Sequence, residues 1–201
     1  MKALIICAGE NKNPALLKEY AAKTDLIICA DGGYLYAFDS EIVPDIIIGD
    51  FDSLDIEIPG GIEKIQLPFE KDETDTQYAF SYAKNKGADE IIIYGGLGGR
   101  LDHTYANILL LEDTEIKSVL TDGKTLCYMT ESLINLKGKK GDYISVFSFS
   151  DVSVGVTLKG LKYSLSEYTL KKSDILGVSN EFTDKEAEIS VKDGKLLIIC
   201  N

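Results

Sequence analysis

Residues 90–103 decide the fold, and they read Glu90-Ile91-Ile92-Ile93-Tyr94-Gly95-Gly96-Leu97-Gly98-Gly99-Arg100-Leu101-Asp102-His103. The stretch opens with β-branched and aromatic residues, as expected for a strand that is buried on both faces of a parallel sheet. Glycines follow, and a helix is predicted from about residue 102 to residue 111. A buried strand that passes through a turn into a helix is the repeating unit of an α/β domain.

The same alternation extends over the first part of the chain. Short apolar runs predict five further strands, at residues 3–7, 26–30, 45–49, 64–67 and 117–120. Between them, helices are predicted from Pro14, over residues 33–38, and from a capping box at Thr74 to residue 86. This order favours a three-layer, Rossmann-like α/β domain, whose mostly parallel sheet has right-handed crossovers.

The pattern changes after Thr121-Asp122-Gly123-Lys124. Apolar or alternating runs, separated by Gly, Ser, Asp and Lys turns, predict strands at residues 143–149, 152–158, 161–165, 187–191 and 196–200. No helical pattern remains there. We therefore predict two domains: an α/β domain over residues 1–123, and a small antiparallel β-sandwich or barrel over residues 124–201.

The charge of the chain excludes several classes of partner. Of its 201 residues, 21 are basic and 33 acidic, which gives a net charge of −12. The whole excess lies in residues 1–124, which hold 11 basic and 23 acidic side chains. Nucleic acid and anionic membrane surfaces are therefore not expected as partners. No apolar run reaches the roughly 18 residues of a membrane span, and we expect a cytoplasmic protein.

The four cysteines also indicate a reducing compartment. Cys7, Cys29, Cys127 and Cys200 are far apart in sequence, and none forms a Cys-x-x-Cys pair. We interpret them as small core residues. With a single histidine in the chain, a structural zinc site is not expected.

Chemistry is expected beyond the carboxyl ends of the strands, where ligands bind in open parallel sheets. Four successive strand ends carry glycines and carboxylates: Asp31-Gly32-Gly33, Gly49-Asp50-Phe51-Asp52-Ser53, Lys71-Asp72-Glu73-Thr74-Asp75 and Gly95-Gly96-Leu97-Gly98-Gly99-Arg100-Leu101-Asp102-His103. Carboxylates that are crowded on one rim repel each other unless a cation is bound, and hard oxygen ligands favour Mg²⁺.

The glycines and the single arginine indicate a bound phosphate. Glycine lets the backbone approach phosphate oxygens, especially just before a helix N-terminus. Arg100 follows the glycines, and its planar fork is suited to hold a phosphate through two hydrogen bonds. Metal, glycines and arginine together indicate phosphoryl-group chemistry. Each segment alone is also explained by turns and helix caps, and neither the dinucleotide fingerprint nor the Walker A motif is complete.

With these four segments in this order, the chain resembles the thiamine pyrophosphokinase family. The resemblance continues at Gly160-Leu161-Lys162-Tyr163-Ser164-Leu165 and at Val178-Ser179-Asn180-Glu181, and so covers nearly the full length. It implies an α/β catalytic domain, a β-sandwich that binds thiamine, and a homodimer with thiamine sites between subunits. The implied reaction transfers a pyrophosphoryl group from ATP to the hydroxyethyl group of thiamine, giving thiamine diphosphate and AMP.

The resemblance also implies catalytic and metal-binding residues. Asp50, Asp52 and Asp72 would surround Mg²⁺, and Asp75 would join them or contact substrate. Arg100 would stabilise charge on the transferred phosphates. Asp102 would orient the thiamine hydroxyl or take its proton. The implied catalytic set is therefore Asp72, Asp75, Arg100 and Asp102.

The remaining implied residues contact the two substrates. The ATP contacts would be Asp31, Gly32, Gly33, Ser53, Lys71, Thr74, Gly98, Gly99 and His103. In the second domain, Tyr163 would lie against the flat pyrimidine of thiamine, with Ser179 and Asn180 as polar contacts. Taken from the residues alone, His103 is a first-turn helix residue and Tyr163 a packed strand residue.

Two other functions stay open on the sequence. Asp50-Phe51-Asp52 after a strand is similar to the nucleophile motif of a haloacid-dehalogenase-like phosphatase. Leu54 stands where that motif has Thr or Val, and the segment follows the third strand instead of the first. A non-catalytic nucleotide or thiamine sensor is the second alternative, because binding and turnover use the same residues.

Overall fold

The computed structural model describes residues 1–9, 13–51, 58–68, 70 and 72–201. This part of the chain divides into two compact units, Met1–Lys124 and Thr125–Asn201. Three of the predicted site residues, Asp52, Ser53 and Lys71, lie outside the described residues. Among the residues described, no helix combines the length and apolarity that a membrane span requires.

The described part of the first unit holds six strands and four helices. In chain order these are β1 (Lys2–Ile6), α1 (Pro14–Ala21), β2 (Leu26–Ala30), α2 (Gly33–Asp39), β3 (Ile46–Gly49), β4 (Glu63–Gln66), α3 (Asp75–Asn85), β5 (Glu90–Tyr94), α4 (Leu101–Leu110) and β6 (Lys117–Thr121). The strands lie in the order β6-β5-β1-β2-β3-β4, and each neighbouring pair is parallel. The predicted parallel sheet is confirmed.

Burial and capping explain why these segments form. Every residue of β3 and all but the first residue of β1 are buried, which accounts for their unbroken apolar sequence. The Thr74 hydroxyl caps α3 by accepting a hydrogen bond of 3.1 Å from the Gln77 N–H, at the capping box that the sequence shows. β4 is an edge strand with mostly exposed side chains, so its apolar pattern is weak.

The second unit consists of antiparallel strands. They are β7 (Leu126–Thr130), β8 (Leu133–Lys137), β9 (Tyr143–Ser148), β10 (Val152–Lys159), β11 (Leu165–Lys171), β12 (Asn180–Glu181), β13 (Glu186–Ser190) and β14 (Leu196–Cys200). They pair in the orders β12-β9-β14-β7 and β11-β10-β13-β8. A buried apolar cluster lies among them, with members such as Ile144, Val156 and Ile198. The antiparallel pairing is confirmed, while the sandwich arrangement stays a prediction.

The strand predicted over residues 161–165 is wrong. Gly160 has a φ of +74°, and the strand β11 begins only at Leu165. Before it, the Asn180 side chain takes the place of a neighbouring strand: its Oδ1 accepts a hydrogen bond from the Tyr163 N–H at 2.9 Å, and its Nδ2 donates to the Tyr163 carbonyl at 2.7 Å. Local sequence cannot show that a side chain 17 residues away satisfies this backbone.

Gly33 shows how closely α2 approaches the sheet. A Cβ at this position would lie 1.9 Å from the carbonyl oxygen of Ile6 in β1. The obstacle is backbone, so it cannot rotate away. Gly33 is therefore required for packing, whatever contact it makes with a ligand.

We predict that Gly33→Ala lowers the free energy of unfolding by about 2 kcal/mol, because the added methyl group forces α2 away from β1. Gly60→Ala is the matched control, since no described atom lies within 4 Å of a Cβ there. We expect its effect to stay below about 0.5 kcal/mol. Urea unfolding of both variants measures the difference, and equal midpoints would contradict the packing role of Gly33.

Candidate functional site

A pocket of about 600 Å³ lies in the first unit, where strands β1, β2, β3 and β5 end. Its lining residues are Cys7, Ala8, Gly9, Ala30, Asp31, Gly32, Asp50, Glu73, Thr74, Asp75, Thr76, Gly95, Gly96, Gly98, Gly99, Arg100, His103 and Asn107. The strand order reverses at β1, which has β2 on one side and β5 on the other. Ligands of open parallel sheets bind at such a switch point.

The structure brings nine of the predicted site residues to this pocket. They are Asp31, Gly32, Asp50, Thr74, Asp75, Gly98, Gly99, Arg100 and His103. Three others of the first unit are not in its lining: Asp72 is exposed before α3, Gly33 packs against Ile6, and Asp102 is exposed in the first turn of α4. The predicted thiamine contacts Tyr163, Ser179 and Asn180 belong to the second unit.

Several lining residues were missed by the sequence analysis. The end of β1 contributes Cys7, Ala8 and Gly9, and a glycine after this strand was the available signal. Thr76 and Asn107 were also missed. Asn107 stands four residues after His103, so the two side chains share one face of α4. That spacing was readable, but no sequence pattern showed that Asn107 would be buried.

Glycine allows the ends of β1 and β5 to meet. The Gly9 N–H donates a hydrogen bond of 2.8 Å to the Gly95 carbonyl, and the Gly95 N–H donates one of the same length to the Thr121 carbonyl. A Cβ at Gly9 would lie 2.1 Å from the Gly95 oxygen. The pocket floor is therefore made of backbone that no other residue type could bring so close.

Three of the five carbonyl groups of residues 95–99, which we name the glycine loop, accept hydrogen bonds. The Gly95 carbonyl accepts from Gly9, the Gly96 carbonyl accepts from Asn107 Nδ2 at 2.8 Å, and the Gly98 carbonyl accepts from Thr104 Oγ1 at 3.2 Å. Within the described residues, no group accepts a hydrogen bond from the N–H groups of residues 96–99. A loop with bound carbonyls and uncommitted N–H groups is suited to hold an anion.

Two helices begin at the same pocket. Thr74, Asp75 and Thr76 form the start of α3, while Arg100 is the N-cap residue of α4 and makes no side-chain capping bond. A helix N-terminus carries partial positive charge on its first N–H groups. Both helix starts therefore add to the attraction that the glycine loop offers to an anion.

Arg100 and Asp102 form a two-bonded pair at the mouth of the pocket. Arg100 Nη2 lies 2.6 Å from Asp102 Oδ2, and Arg100 Nε lies 3.2 Å from Asp102 Oδ1. This hydrogen bonding raises the pKa of Arg100 and lowers the pKa of Asp102. Asp102 is therefore a weak proton acceptor in this arrangement. Both side chains are mostly exposed, so the pair contributes little to stability.

Four acidic side chains also line the pocket. Asp31, Asp50, Glu73 and Asp75 all line the pocket, and a Cβ at Gly49 would lie 3.0 Å from Asp31 Oδ1. The described residues contain no group of three His, Cys, Asp or Glu side chains arranged to hold a metal ion by themselves. A pocket with a few carboxylates still suits Mg²⁺, because this ion usually takes one or two carboxylates and completes its shell with water and phosphate oxygens.

Cys7, a lining residue that directly follows β1, contacts the start of α3. Its Sγ lies 3.4 Å from Thr76 Oγ1, and the residue is 5% exposed. Burial raises the pKa of the Cys7 thiol to about 11, and the nearby Asp75 carboxylate adds to this rise. The thiol is therefore protonated at neutral pH and acts as a small packing group.

Comparison with known proteins shows similarity over both units. The family model "Thiamin pyrophosphokinase, catalytic domain" matches residues 17–120, and "Thiamin pyrophosphokinase, vitamin B1 binding domain" matches residues 131–196. The thiamine pyrophosphokinase of Bacillus subtilis (strain 168) is 35% identical over 213 residues, which cover 99% of this chain and 98% of that protein. Thiamine pyrophosphokinase 1 of Oryza sativa subsp. japonica is 24% identical and covers 82% of this chain and 75% of its own.

Solved structures show the same similarity in three dimensions. A crystal structure of thiamine pyrophosphokinase from Bacillus subtilis has a TM-score of 0.86 at 28% identity and covers 100% of this chain and 99% of its own. A thiamin pyrophosphokinase from Geobacillus thermodenitrificans has a TM-score of 0.87 at 24% identity, covering 100% and 97% of the two chains, and supports the fold.

We predict that Cys7 resists alkylation by iodoacetamide in the native protein. With a pKa of about 11, only about 0.1% of the thiol is ionised at pH 8, so reaction should be at least 100-fold slower than for free cysteine. The rate should keep rising as the pH approaches 11. Peptide mapping after timed labelling measures it, with urea-unfolded protein as the control. Rapid labelling of native Cys7 at pH 8 would contradict the buried, protonated thiol.

Proposed function

This chain belongs to the thiamine pyrophosphokinase family, and we propose that the pocket beyond β1, β2, β3 and β5 is where it binds ATP. The chain is an enzyme that transfers a pyrophosphoryl group from ATP to thiamine, giving thiamine diphosphate and AMP. The observation that carries our proposal is the hydrogen bonding of the glycine loop: the carbonyls of Gly95, Gly96 and Gly98 accept hydrogen bonds, while within the described residues the N–H groups of residues 96–99 donate none.

We place the triphosphate at the glycine loop and the nucleoside beside Asp31 and Gly32. The triphosphate end then meets the loop N–H groups, Arg100 and the starts of α3 and α4, which all favour negative charge. A volume of about 600 Å³ falls in the usual range for sites of small ligands. Thr74, Gly98, Gly99 and His103, with Ser53 and Lys71 outside the described residues, complete the proposed ATP contacts.

We propose Asp50, Asp52 and Asp72 as the residues that hold Mg²⁺, with Asp75 joining them or contacting substrate. Asp50 and Asp75 line the pocket, and Asp72 lies three residues before α3. When bound, Mg²⁺ would supply charge neutralisation on the phosphate oxygens. These residues suit Mg²⁺ by their donor chemistry, because the carboxylates of Asp50 and Asp75 line the same pocket as the glycine loop and Arg100.

The chain's own residues mainly position the reactants. The thiamine hydroxyl oxygen attacks the β-phosphorus of ATP and releases its proton to water, the bond from that phosphorus to the α,β-bridging oxygen breaks, and AMP leaves with that oxygen. Arg100 would leave Asp102 to contact the transferred phosphates, an exchange made easy by the weakness of exposed ion pairs. Asp102 would then orient the hydroxyl. Its lowered pKa gives no support to proton abstraction.

We place thiamine against Tyr163, with polar contacts from Ser179 and Asn180. The Tyr163 side chain is 61% exposed, so its ring is accessible to a flat ligand. Lys162 Nζ, which is hydrogen-bonded to Glu181 at 2.8 Å, lies 5.6 Å from the ring centroid, so a cation is accommodated over this ring. Asn180 fixes the Tyr163 backbone from both sides. We further propose a cytoplasmic homodimer with thiamine bound between its subunits.

The two alternatives are less well supported. A haloacid-dehalogenase-like phosphatase would use Asp50 as a nucleophile, yet the matches over residues 17–120 and 131–196 are to thiamin pyrophosphokinase models. A sensor without turnover would share the pocket. The product formed from ATP separates all three functions.

We predict that purified protein with Mg²⁺, ATP and thiamine releases AMP and thiamine diphosphate in equal amounts. Chromatography of the nucleotides and of the thiamine products measures both. Release of inorganic phosphate through a covalent phosphoenzyme, without need for thiamine, would favour the phosphatase. Binding of ATP and thiamine with no AMP formed would favour the sensor.

We predict that Arg100→Lys lowers kcat/KM for ATP by about 100-fold, because lysine keeps the charge but lacks the two-pronged donor geometry. The melting temperature should not change, since the Arg100 side chain is 72% exposed. Lys23→Arg, in an exposed ion pair with Glu19, is the control for a charge-conserving exchange. Near-normal turnover in Arg100→Lys would refute the role of the guanidinium.

A further inference from the structure

Asn107 is the single buried residue of α4, with 6% of its surface exposed. The same helix leaves Leu101 and Leu109 exposed to 81% and 40%. A helix that packs on a sheet normally buries its apolar residues and exposes its amides. The reversed arrangement indicates that the Asn107 amide has a specific task at this position, and its contact partner identifies that task.

The Asn107 side chain holds one carbonyl group of the glycine loop. Its Nδ2 donates a hydrogen bond of 2.8 Å to the Gly96 carbonyl, and both residues are buried. A Cβ at Gly96 would lie 2.5 Å from Leu120 Cδ1 and 3.1 Å from Asn107 Nδ2. Gly96 is therefore enclosed between β6 and α4, and Asn107 supplies the donor that its buried carbonyl requires.

Thr104 repeats this contact one helical turn earlier. Its Oγ1 donates a hydrogen bond of 3.2 Å to the Gly98 carbonyl. Residues 104 and 107 are three apart and so lie on the same face of α4. Helix α4 therefore donates two side-chain hydrogen bonds to the glycine loop, at the carbonyl groups of Gly96 and Gly98.

Holding a carbonyl also aims the N–H group of the next residue. The described chain has no cis peptide bond, so each carbonyl and the following N–H point in opposite directions across one planar unit. A Gly96 carbonyl fixed toward α4 turns the Leu97 N–H the other way. In the same manner, a fixed Gly98 carbonyl turns the Gly99 N–H away from Thr104.

We propose that Asn107 and Thr104 are positioning residues for pyrophosphoryl transfer, which aim the Leu97 and Gly99 N–H groups at the triphosphate of ATP. The inference rests on the proposed function, since it assumes that the pocket binds ATP. Without these side chains, the hydrogen bonds that hold the carbonyl groups of Gly96 and Gly98 are lost. The peptide units of the loop can then rotate, because glycine adopts either sign of φ, and Gly95, Gly98 and Gly99 already have positive φ angles. A rotated unit presents a carbonyl oxygen to the phosphates and repels them.

Paired variants test this role. Asn107→Leu and Thr104→Val keep side-chain size and remove the donor, and we expect each to raise the KM for ATP, by about tenfold and about fivefold respectively. The KM for thiamine should change by less than about twofold. Thr104→Ser keeps the hydroxyl and should recover most of the affinity for ATP that Thr104→Val loses. Thr104 is only partly buried, so its variants are expected to fold.

Leu17→Val is the control for a general loss of stability, because Leu17 is buried in α1 and does not line the pocket. It should lower the melting temperature without changing the KM for ATP. Equal rises of both KM values in Asn107→Leu and Thr104→Val, or no rise in either, would overturn the inference. If Arg100→Lys also leaves ATP binding and turnover unchanged, the ATP site itself is misplaced. If Arg100→Lys alone impairs turnover, only the role of Asn107 and Thr104 fails.

Discussion

The site depends on how closely the backbone segments approach one another where the parallel strands end. A Cβ would lie 2.1 Å from the Gly95 oxygen at Gly9, 1.9 Å from the Ile6 oxygen at Gly33, and 2.9 Å from Asp31 Cβ at Gly49. The ends of β1, β2, β3 and β5 and the start of α2 therefore approach one another more closely than a side chain at these three glycines would permit. At Gly9 and Gly33 the obstacle is backbone, so peptide groups whose direction is fixed by the fold lie there.

Peptide groups in the pocket also bear on how a negatively charged unit can bind an anion. The first 124 residues carry the whole net charge of −12, yet the substrate ATP is itself an anion. Among the described lining residues, Arg100 is the one Lys or Arg side chain, and four carboxylates line the same pocket: those of Asp31, Asp50, Glu73 and Asp75. In the proposed ATP site, attraction would therefore come from oriented N–H groups, helix N-termini and the proposed Mg²⁺, whose contributions are local and act despite an unfavourable overall charge.

The predictable parts of the molecule are those that a local pattern records. A strand buried on both faces must be apolar throughout, so β1, β2, β3 and β5 were visible in the sequence, and so were the glycines and carboxylates after them. Contacts between distant residues leave no such pattern. Asn180 satisfies the backbone of Tyr163 and so replaces a predicted strand, and Asn107 is buried although helix periodicity favours leucine at such a position. The sequence analysis also missed β7, β8 and the two-residue strand β12.

Family membership and geometry inform different parts of the mechanism. The comparisons identify the reaction, but they do not explain why a helix should bury an asparagine beside a row of glycines. The proposed positioning role explains it, because a loop of glycines is flexible and a carbonyl held by a donor fixes the direction of the following trans N–H group. α4 supplies two such donors from one face, and its N-cap residue Arg100 supplies the positive charge. One helix thereby sets both the direction of the backbone donors and the place of the guanidinium.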